Sequence, residues 1–235
     1  MPFQSLITTE GRYLVEDYPI SYLSSASLMK FVTKKKQKAE GGVLSFGNAD
    51  LENPIFNLNF AEMEASEIAG MYPKSELYIR RDATETKAKI LADKYSMLHF
   101  ATHSELNQQN PMKSALKLAK DSLNDGDLTA EEVFSLSINS SLVVLSACET
   151  AIGKINRGDE LVGFTRAFIY AGTPSIINTL WKVDDLATSQ LMTGFYSNLK
   201  KTNKRDALRE AQLAVKKQYE HPYFWAAFQL TGMAE

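Results

Sequence analysis

Short apolar runs alternate with longer amphipathic stretches along the chain from Gly42 onward. The apolar runs have the length and composition of buried strands. They predict strands at residues 43–46, 76–79, 97–101, 115–118, 142–147, 174–180 and 228–230. The amphipathic stretches predict helices at residues 60–71, 83–94, 159–170, 185–199 and 205–219, with a short helix after Thr129. Strands that alternate with helices in this way indicate an α/β sandwich with a mostly parallel sheet.

Local capping and turn signals add detail to this pattern. Asp82 and Glu85 have the spacing of an N-cap and its capping partner at the start of the second helix. Thr129 and Glu132 repeat that signal before the short helix. Asn124-Asp125-Gly126 predicts a tight turn that closes a hairpin.

The first 40 residues differ in character from the rest. Two short alternating stretches, at residues 13–15 and 20–23, flank the turn signal Glu16-Asp17-Tyr18-Pro19, and this predicts a β-hairpin. The basic run from Lys34 to Lys38 lacks interleaved aromatic residues, so we interpret it as a solvated linker rather than a nucleic-acid or lipid patch. We expect residues 1–40 to form a flap of the same domain whose core is residues 41–235.

Composition removes several classes of function. The 235 residues carry 26 Lys and Arg against 28 Asp and Glu, and this near-balance argues against a general nucleic-acid or anionic-membrane binder. The one cysteine, Cys148, excludes an internal disulfide and any Cys-rich metal site. No apolar run approaches the ~20 residues that span a bilayer, and the N-terminus lacks the pattern of a signal peptide. We therefore expect a soluble, cytoplasmic protein.

Cofactor motifs are incomplete. Gly153 and Gly158 have the spacing of a phosphate-binding loop, but Asp159 and Glu160 follow where a lysine and a hydroxyl residue would be needed. Residues 121–127 resemble a calcium loop only loosely, because Leu123 fills a ligand position. The sequence thus predicts no metal and no organic cofactor.

Two apolar stretches end in residues that can perform nucleophilic chemistry. Residues 97–102 run into His103, and residues 142–147 run into Cys148. If the two strands are parallel neighbours, these residues share the sheet edge where ligands bind in open α/β folds. A thiol beside an imidazole can become an attacking thiolate. From composition alone, a lone cysteine such as Cys148 is more often an inert buried residue, and His103 alone could be a hydrogen-bonded loop residue. We interpret His99 as a core residue and His221 as a helix-start residue without a catalytic role.

The ordered motifs of the chain resemble those of the CHAT-domain family. The motifs are His99 to His103, Leu145 to Thr150, Arg166-Ala167-Phe168 with Ala171-Gly172, Leu180 to Asp185, Ala207-Leu208-Arg209 and His221 to Phe228. The match runs from about Leu14 to Gly232. CHAT domains are caspase-like and separase-like cysteine peptidases, so the resemblance implies a caspase-like α/β/α sandwich with a mostly parallel central sheet, here with the N-terminal hairpin as an extension.

The resemblance also assigns roles to residues. It implies a catalytic dyad at His103 and Cys148, and an oxyanion hole from the backbone N–H groups of Cys148 and Ser104. The family usually has glycine at the position of Ser104; because the donor is a main-chain group, serine can serve where its φ and ψ are accessible. The implied activity is endopeptidase cleavage of protein substrates.

Many members carry this domain behind helical repeats or a sensor at the C-terminal end of longer bacterial proteins. The chain is then either a domain of a longer protein or a short member, and a repeat or sensor region is an expected regulatory partner in cis or in trans. Two alternatives stay open: a catalytically silent interaction module that kept the fold, and a thiol that senses redox state. The second lacks a resolving cysteine.

Two acidic residues are candidates for substrate recognition. Separases, which resemble the segment Leu180 to Asp185, have an aspartate after the Leu-Trp pair that recognises arginine on the acyl side of the cut. Alignment on Leu180-Trp181 favours Asp185, with Asp184 next. Alternatively, Asp184 is the N-cap of the helix that follows and Asp185 favours its dipole. On the functional interpretation, the enzyme prefers arginine or lysine before the scissile bond.

Overall fold

The structure, a computed structural model, describes residues 2–23, 41–107, 109–146, 148–149 and 159–235; for residues 148–149 and 159–162 it describes the backbone. The predicted linker from Lys34 to Lys38 and the glycine pair at 153 and 158 lie outside the described residues.

Most of the predicted strands form one central sheet. Six strands of the described residues stand in the order β10-β9-β7-β3-β1-β2, and all neighbours are parallel except β10 and β9. Their bounds are β1 Val43–Ala49, β2 Glu76–Arg80, β3 Met97–Ala101, β7 Leu142–Leu145, β9 Ser175–Thr179 and β10 Phe228–Gly232. The mostly parallel central sheet predicted from the sequence is confirmed.

Helices cover both faces of this sheet. Their bounds are α1 Leu14–Asp17, α2 Asn59–Met71, α3 Glu85–Leu91, α4 Ala130–Ser135, α5 Asp159–Ala171, α6 Asp185–Leu199 and α7 Lys204–Gln218. Successive residues of β1 illustrate the two layers: Val43 belongs to the apolar cluster that includes residues of α2, α6 and α7, whereas Leu44 belongs to the cluster that includes residues of α3, α4 and α5. Burial on both faces explains why these strands are continuous apolar runs.

A second, smaller sheet extends two of the central strands. Its order is β6-β5-β4-β8, with bounds β4 His103–Glu105, β5 Ala115–Lys117, β6 Asp127–Thr129 and β8 Cys148–Glu149. β4 follows β3 after one residue, Thr102, and β8 follows β7 closely along the chain. The predicted turn lies between the antiparallel strands β5 and β6, where Gly126 has φ +94°. That hairpin prediction is confirmed.

The predicted N-terminal hairpin is wrong. Residues 14–17 form the one-turn helix α1 instead, with Tyr13 N–H donating to the Glu16 carboxylate at 2.8 Å as in a capping box. Arg209 of α7 holds this turn, because its guanidinium donates to the carbonyls of Val15 at 2.7 Å and Glu16 at 2.6 Å. The alternating pattern arises because Val15 is buried in the core beside α7.

The second arm of the predicted hairpin pairs elsewhere. Tyr22 forms a parallel bridge with Thr231 of the edge strand β10. Tyr22 N–H donates to the Leu230 carbonyl at 2.8 Å, and Gly232 N–H donates to the Tyr22 carbonyl at 2.9 Å. The polar and apolar alternation of residues 20–23 therefore reflects docking on the central sheet.

One predicted cap is confirmed and one is wrong. Thr129 and Glu132 form both bonds of a capping box at α4. At α3 the N-cap is Thr84, whose hydroxyl accepts from Lys87 N–H at 3.3 Å, and Asp82 pairs with the Lys87 ammonium at 2.8 Å. The helix starts two residues later than predicted because Thr84 supplies the nearer side-chain oxygen. No helix in the described residues is long and apolar enough to cross a membrane.

Candidate active site

The backbones of the two candidate catalytic residues are neighbours. His103 and Cys148 are register partners in the parallel pair β4 and β8, and Ser104 is paired with Glu149 in the same way. The expectation that the two apolar strands end at one edge is met, because β3 and β7 are adjacent and parallel. The Cys148 side chain lies outside the described part of the chain, so its role as nucleophile stays a prediction.

The His103 imidazole is oriented by a backbone carbonyl. Its Nε2 lies 2.8 Å from the Phe56 carbonyl oxygen, and since a carbonyl can only accept, Nε2 carries the proton. The Phe56 ring meets the imidazole edge-on, with centroids 5.7 Å apart. Nδ1 is buried and has no hydrogen-bond partner among the described residues. A neutral ring with this tautomer has its lone pair on Nδ1, where it can accept a proton.

The surroundings of His103 keep it neutral. Burial lowers the pKa of the imidazole below its ordinary 6.5, the Phe56 carbonyl opposes this, and the positive charge of Lys182 lowers it further. The side chain is 9% exposed. An imidazole that is neutral at pH 7 can act as a general base.

Asn48 anchors the loop that carries Phe56. It stands at the end of β1 with φ +46°, is 2% exposed, and its Oδ1 accepts from Leu58 N–H at 2.7 Å. Its Nδ2 donates to the Glu62 carboxylate at 2.9 Å. Asparagine tolerates the left-handed region better than most residues. Sequence reasoning missed Asn48, although a polar residue after an apolar run is the same signal that identified His103.

Two further side chains hold the same loop. Asn53 accepts from Ile55 N–H at 3.1 Å and caps the 3-10 turn Pro54–Phe56. The Arg80 guanidinium donates to Asn57 Oδ1 at 2.6 Å. The carbonyl that orients His103 thus belongs to a loop that Asn53 caps locally and that Asn48 of β1 and Arg80 of β2 hold from outside.

Ser104 follows His103 in β4, between β5 and β8. It is 8% exposed, and its φ is not among the positive values of the chain, so the replacement of glycine by serine brings no left-handed strain here. Its predicted role in an oxyanion hole, together with the Cys148 N–H, stays a prediction.

Asp184 and Asp185 have different local contacts. Asp184 is exposed and caps α6, because its Oδ1 accepts from Ala187 N–H at 3.0 Å. Asp185 is half-buried and accepts a hydrogen bond from the backbone N–H of Phe60 in the first turn of α2. Burial and the nearby charge of Glu64 raise the pKa of Asp185, while the Phe60 bond opposes the rise. The charge of Lys182 acts on both Asp185 and His103.

The other two histidines have the structural positions predicted for them, His99 in the core and His221 at the start of a helical turn. His99 is fully buried, with its Nε2 at 3.0 Å from a Glu64 oxygen and its Nδ1 at 3.3 Å from the Tyr196 hydroxyl. His221 accepts from Tyr223 N–H at 3.1 Å and starts the 3-10 turn Pro222–Phe224. The buried Glu64 partner of His99 was not foreseen from the sequence.

The described residues contain no cluster of three His, Cys, Asp or Glu side chains that could hold a metal ion. Next to His103 lies an open cavity of about 670 Å³, lined by residues that follow β1 and by the small sheet.

A family model described as CHAT domain matches residues 1–233 of this chain. Two curated relatives are tetratricopeptide repeat protein 28 from Mus musculus, 39% identical over 108 residues, and from Homo sapiens, 36% identical over 108 residues. The match covers 45% of this chain and 4% of either relative, so this chain corresponds to a small part of their length.

Two solved structures are similar in fold. A chain of the Saccharomyces cerevisiae separase–securin complex has a TM-score of 0.61 and 12% identity over 93% of this chain and 14% of its own. The Arg-specific cysteine proteinase gingipain R has a TM-score of 0.55 and 12% identity over 83% of this chain and 46% of its own. These likenesses confirm the caspase-like α/β fold predicted from the sequence.

Proposed function

Because the chain belongs to the CHAT-domain family, we propose that it is a cysteine endopeptidase that cleaves protein substrates with His103 and Cys148. The observation that carries the proposal is the state of His103. It is buried, its Nε2 is hydrogen-bonded to the Phe56 carbonyl, and its Nδ1 has no partner among the described residues. The backbone of Cys148 lies beside that of His103 on the adjacent strand.

In the proposed reaction, His103 Nδ1 removes the proton of the Cys148 thiol and the thiolate attacks the scissile carbonyl. The imidazolium keeps its bond to the Phe56 carbonyl and then donates the new proton to the leaving amine. A water molecule, deprotonated by the same imidazole, hydrolyses the acyl-enzyme. Backbone N–H groups of Ser104 and Cys148 would stabilise the oxyanion by about 3 kcal/mol per donor.

The proposed specificity is for arginine or lysine on the acyl side of the cut. Asp185 is the first candidate, because its carboxylate is half-buried and the charge of Lys182 acts on it as well as on His103. Asp184 is the second, since it is exposed at the same helix start. A guanidinium would form a charge-assisted contact with either carboxylate. Gingipain R, a structural neighbour, is itself described as Arg-specific.

We place the enzyme in the cytoplasm, under control of a repeat or sensor region in cis or in trans. The curated relatives are tetratricopeptide repeat proteins and are much longer than this chain. A structural neighbour was solved as a separase–securin complex, which is a complex with a protein partner. These likenesses support protein partners, and the substrate is proposed to be a protein as well.

The test compares peptide cleavage by the wild type with Cys148→Ala and His103→Ala, using His221→Ala as the matched histidine control. We expect both site variants to lose cleavage with little change in melting temperature, and the control to retain it. His103→Ala should also slow alkylation by iodoacetamide, which reports on Cys148 because the chain has one cysteine. Undiminished cleavage in either site variant would remove that residue from the mechanism. A wild type that binds proteins and cleaves none would favour the silent interaction module.

A further inference from the structure

Glu64 is an acidic residue that the protein buries completely. It lies on α2, and neither of its side-chain oxygens accepts a hydrogen bond from a described residue. The Nε2 atom of His99 in β3 lies 3.0 Å from Glu64 Oε1, but the two atoms lack the alignment of a hydrogen bond. A buried carboxyl group without hydrogen bonds is costly, so its place in the core needs an explanation.

The polar groups around Glu64 come from β3 and α6. β3 contributes His99, and α6 contributes Tyr196, whose hydroxyl lies 3.3 Å from His99 Nδ1. Burial raises the pKa of Tyr196 well above its ordinary value, and Tyr72 and Glu64 raise it further, so this phenol stays neutral. Among the described residues, no lysine or arginine forms an ion pair with Glu64. The surroundings therefore do not include a permanent positive charge that would cancel the charge of this carboxylate.

Asp185 of α6 lies next to Glu64 through the first turn of α2. Asp185 accepts a hydrogen bond from Phe60 N–H, and Glu64 follows Phe60 by one helical turn. Side chains of a helix lean towards its N-terminus, so the Glu64 carboxyl group is directed back over the turn that Asp185 contacts. The pKa of Asp185 reflects this, because burial raises it most and the charge of Glu64 raises it next.

Two other charges act on Asp185 from its own segment. Asp184 raises the pKa of Asp185, whereas Lys182 lowers it, as the Phe60 bond does. Asp184 and Lys182 are exposed, so solvent and salt screen their charges, while a buried charge is screened much less. Glu64 is therefore the neighbouring charge that keeps its effect on Asp185 at physiological salt.

Two neighbouring carboxyl groups respond to a cation in a defined way. Without a cation, repulsion between like charges favours uptake of a proton by the more accessible group, which here is the half-buried Asp185. When a guanidinium or ammonium group binds, the charged form of Asp185 becomes favourable again and the proton leaves to solvent. The fixed negative charge of Glu64 also attracts a cation more strongly than a neutral side chain of the same shape.

We propose that Glu64 is a positioning residue for acyl-side specificity: it acts through Asp185, which holds a proton in the empty site at acidic pH and releases it to solvent when an arginine or lysine side chain binds. The inference rests on the proposed function, which assigns the acyl side to Asp185. It adds a residue that does not touch the substrate, and it makes the selection of basic residues dependent on pH. If Glu64 and His99 only join α2 to β3, replacement of Glu64 changes stability and leaves specificity unchanged.

The test measures peptide binding by fluorescence anisotropy with the Cys148→Ala protein. Two labelled peptides differ only in the acyl-side residue, which is arginine in one and its neutral isostere citrulline in the other. The ratio of their affinities reports on the charge and cancels the contacts that both peptides make. We expect this ratio to fall as the pH is lowered through the pKa of Asp185. In Glu64→Gln the ratio at neutral pH should be about threefold smaller, and its fall should begin about half a pH unit lower.

Three further variants make the result specific. Glu67→Gln is the matched control, because it removes an exposed carboxylate from the same helix, and it should leave the ratio and its pH dependence unchanged. Glu64→Met removes the same charge but leaves an apolar side chain of similar length in the core, so the test survives if Glu64→Gln does not fold. Asp185→Asn should abolish the pH dependence of the ratio, since it removes the titrating group.

NMR titration of the Asp185 carboxyl carbon, assigned with Asp185→Asn, makes the same comparison without a peptide. We expect the pKa of Asp185 in the Cys148→Ala protein to be lower when Glu64 is replaced by glutamine, because a neighbouring negative charge is lost. An unchanged pKa would overturn the action of Glu64 on Asp185.

The outcomes separate this inference from the proposed function. A preference for arginine whose size and pH dependence are the same with and without Glu64 would overturn the role of Glu64 and leave Asp185 as the specificity residue. A ratio that changes as expected, in a chain that cleaves no peptide, would support Glu64 and overturn the peptidase. Equal affinity for arginine and citrulline peptides at every pH would overturn the acyl-side assignment of Asp185 and the role of Glu64 in specificity with it.

Discussion

The charge state of His103 is controlled by burial, by the Phe56 carbonyl and by Lys182. Since its pKa lies below the ordinary 6.5, the unfolded chain binds this proton more readily than the folded protein does. Well above pH 6.5 the imidazole is neutral in both states, so its titration does not affect stability. As the pH falls below 6.5, the unfolded chain takes up the proton first, and the free energy of unfolding decreases.

We expect Lys182→Gln to raise the pKa of His103, because it removes a positive charge that opposes protonation. Titration of the imidazole proton signals by NMR measures this directly, in a Cys148→Ala background so that the thiol does not titrate alongside. Lys217→Gln, an exposed lysine on α7, is the matched control and should leave the titration unchanged. An unchanged or lower pKa in Lys182→Gln would contradict the assigned influence of Lys182.

Asn48 is a positioning residue, because it acts on His103 through the loop that carries Phe56. Asn48→Ala removes the acceptor for Leu58 N–H and the donor to Glu62, and it places alanine at φ +46°. We expect kcat to fall about tenfold or more with little change in KM, because the carbonyl that orients His103 loses its support. Asn48→Gly relieves the backbone strain without restoring the amide. Equal activity of Asn48→Gly and the wild type would show that only the backbone conformation matters.

At the scale of elements, the β5–β6 hairpin forms a wall of the cavity beside His103 and depends on one glycine. Gly126 has φ +94°, and a Cβ there would lie 2.6 Å from the Leu118 carbonyl oxygen. We expect Gly126→Ala to cost about 1–3 kcal/mol of stability and to lower the melting temperature by several degrees. Gly70→Ala is the control, since a Cβ at Gly70 of α2 meets nothing within 4 Å. It should be neutral or slightly stabilising, and an equal loss in both variants would refute the strain at Gly126.

The elements also show what the sequence could predict and what it could not. The central strands were predictable because burial on both faces makes them apolar runs, as in Leu142–Leu145. In the small sheet β5 was predicted, as residues 115–118, because it begins with an apolar pair. The other strands of that sheet are two or three residues long and mix charged with apolar positions, as in Asp127–Thr129, so periodicity does not detect them. The prediction of an N-terminal hairpin was wrong because the alternating pattern comes from Val15, which is buried by a tertiary contact with α7 and not by strand pairing.

For the whole molecule, the candidate site was predictable where it depends on side-chain chemistry and not where it depends on the backbone. His103 and Cys148 stand out because polar residues interrupt the chain where apolar runs end. The carbonyl of Phe56 gives no signal in a sequence, because every residue has a carbonyl group. Its place beside His103 follows from a loop that Asn48 and Arg80 hold from separate strands.

The pairing of β4 with β8 has a mechanical consequence. His103 and Cys148 lie on adjacent strands of the small sheet, whereas Asp184 and Asp185 follow β9 of the central sheet. A tilt of the small sheet against the central sheet would carry the backbones of His103 and Cys148 together and leave their spacing unchanged. The same tilt would alter their distance from the acidic pair. Because the Phe56 carbonyl belongs to a loop held by Asn48 of β1 and Arg80 of β2, the tilt would also change the hydrogen bond that orients the His103 imidazole. A partner that shifts the small sheet would therefore act on the orientation of His103 and on its distance from the acidic pair at the same time.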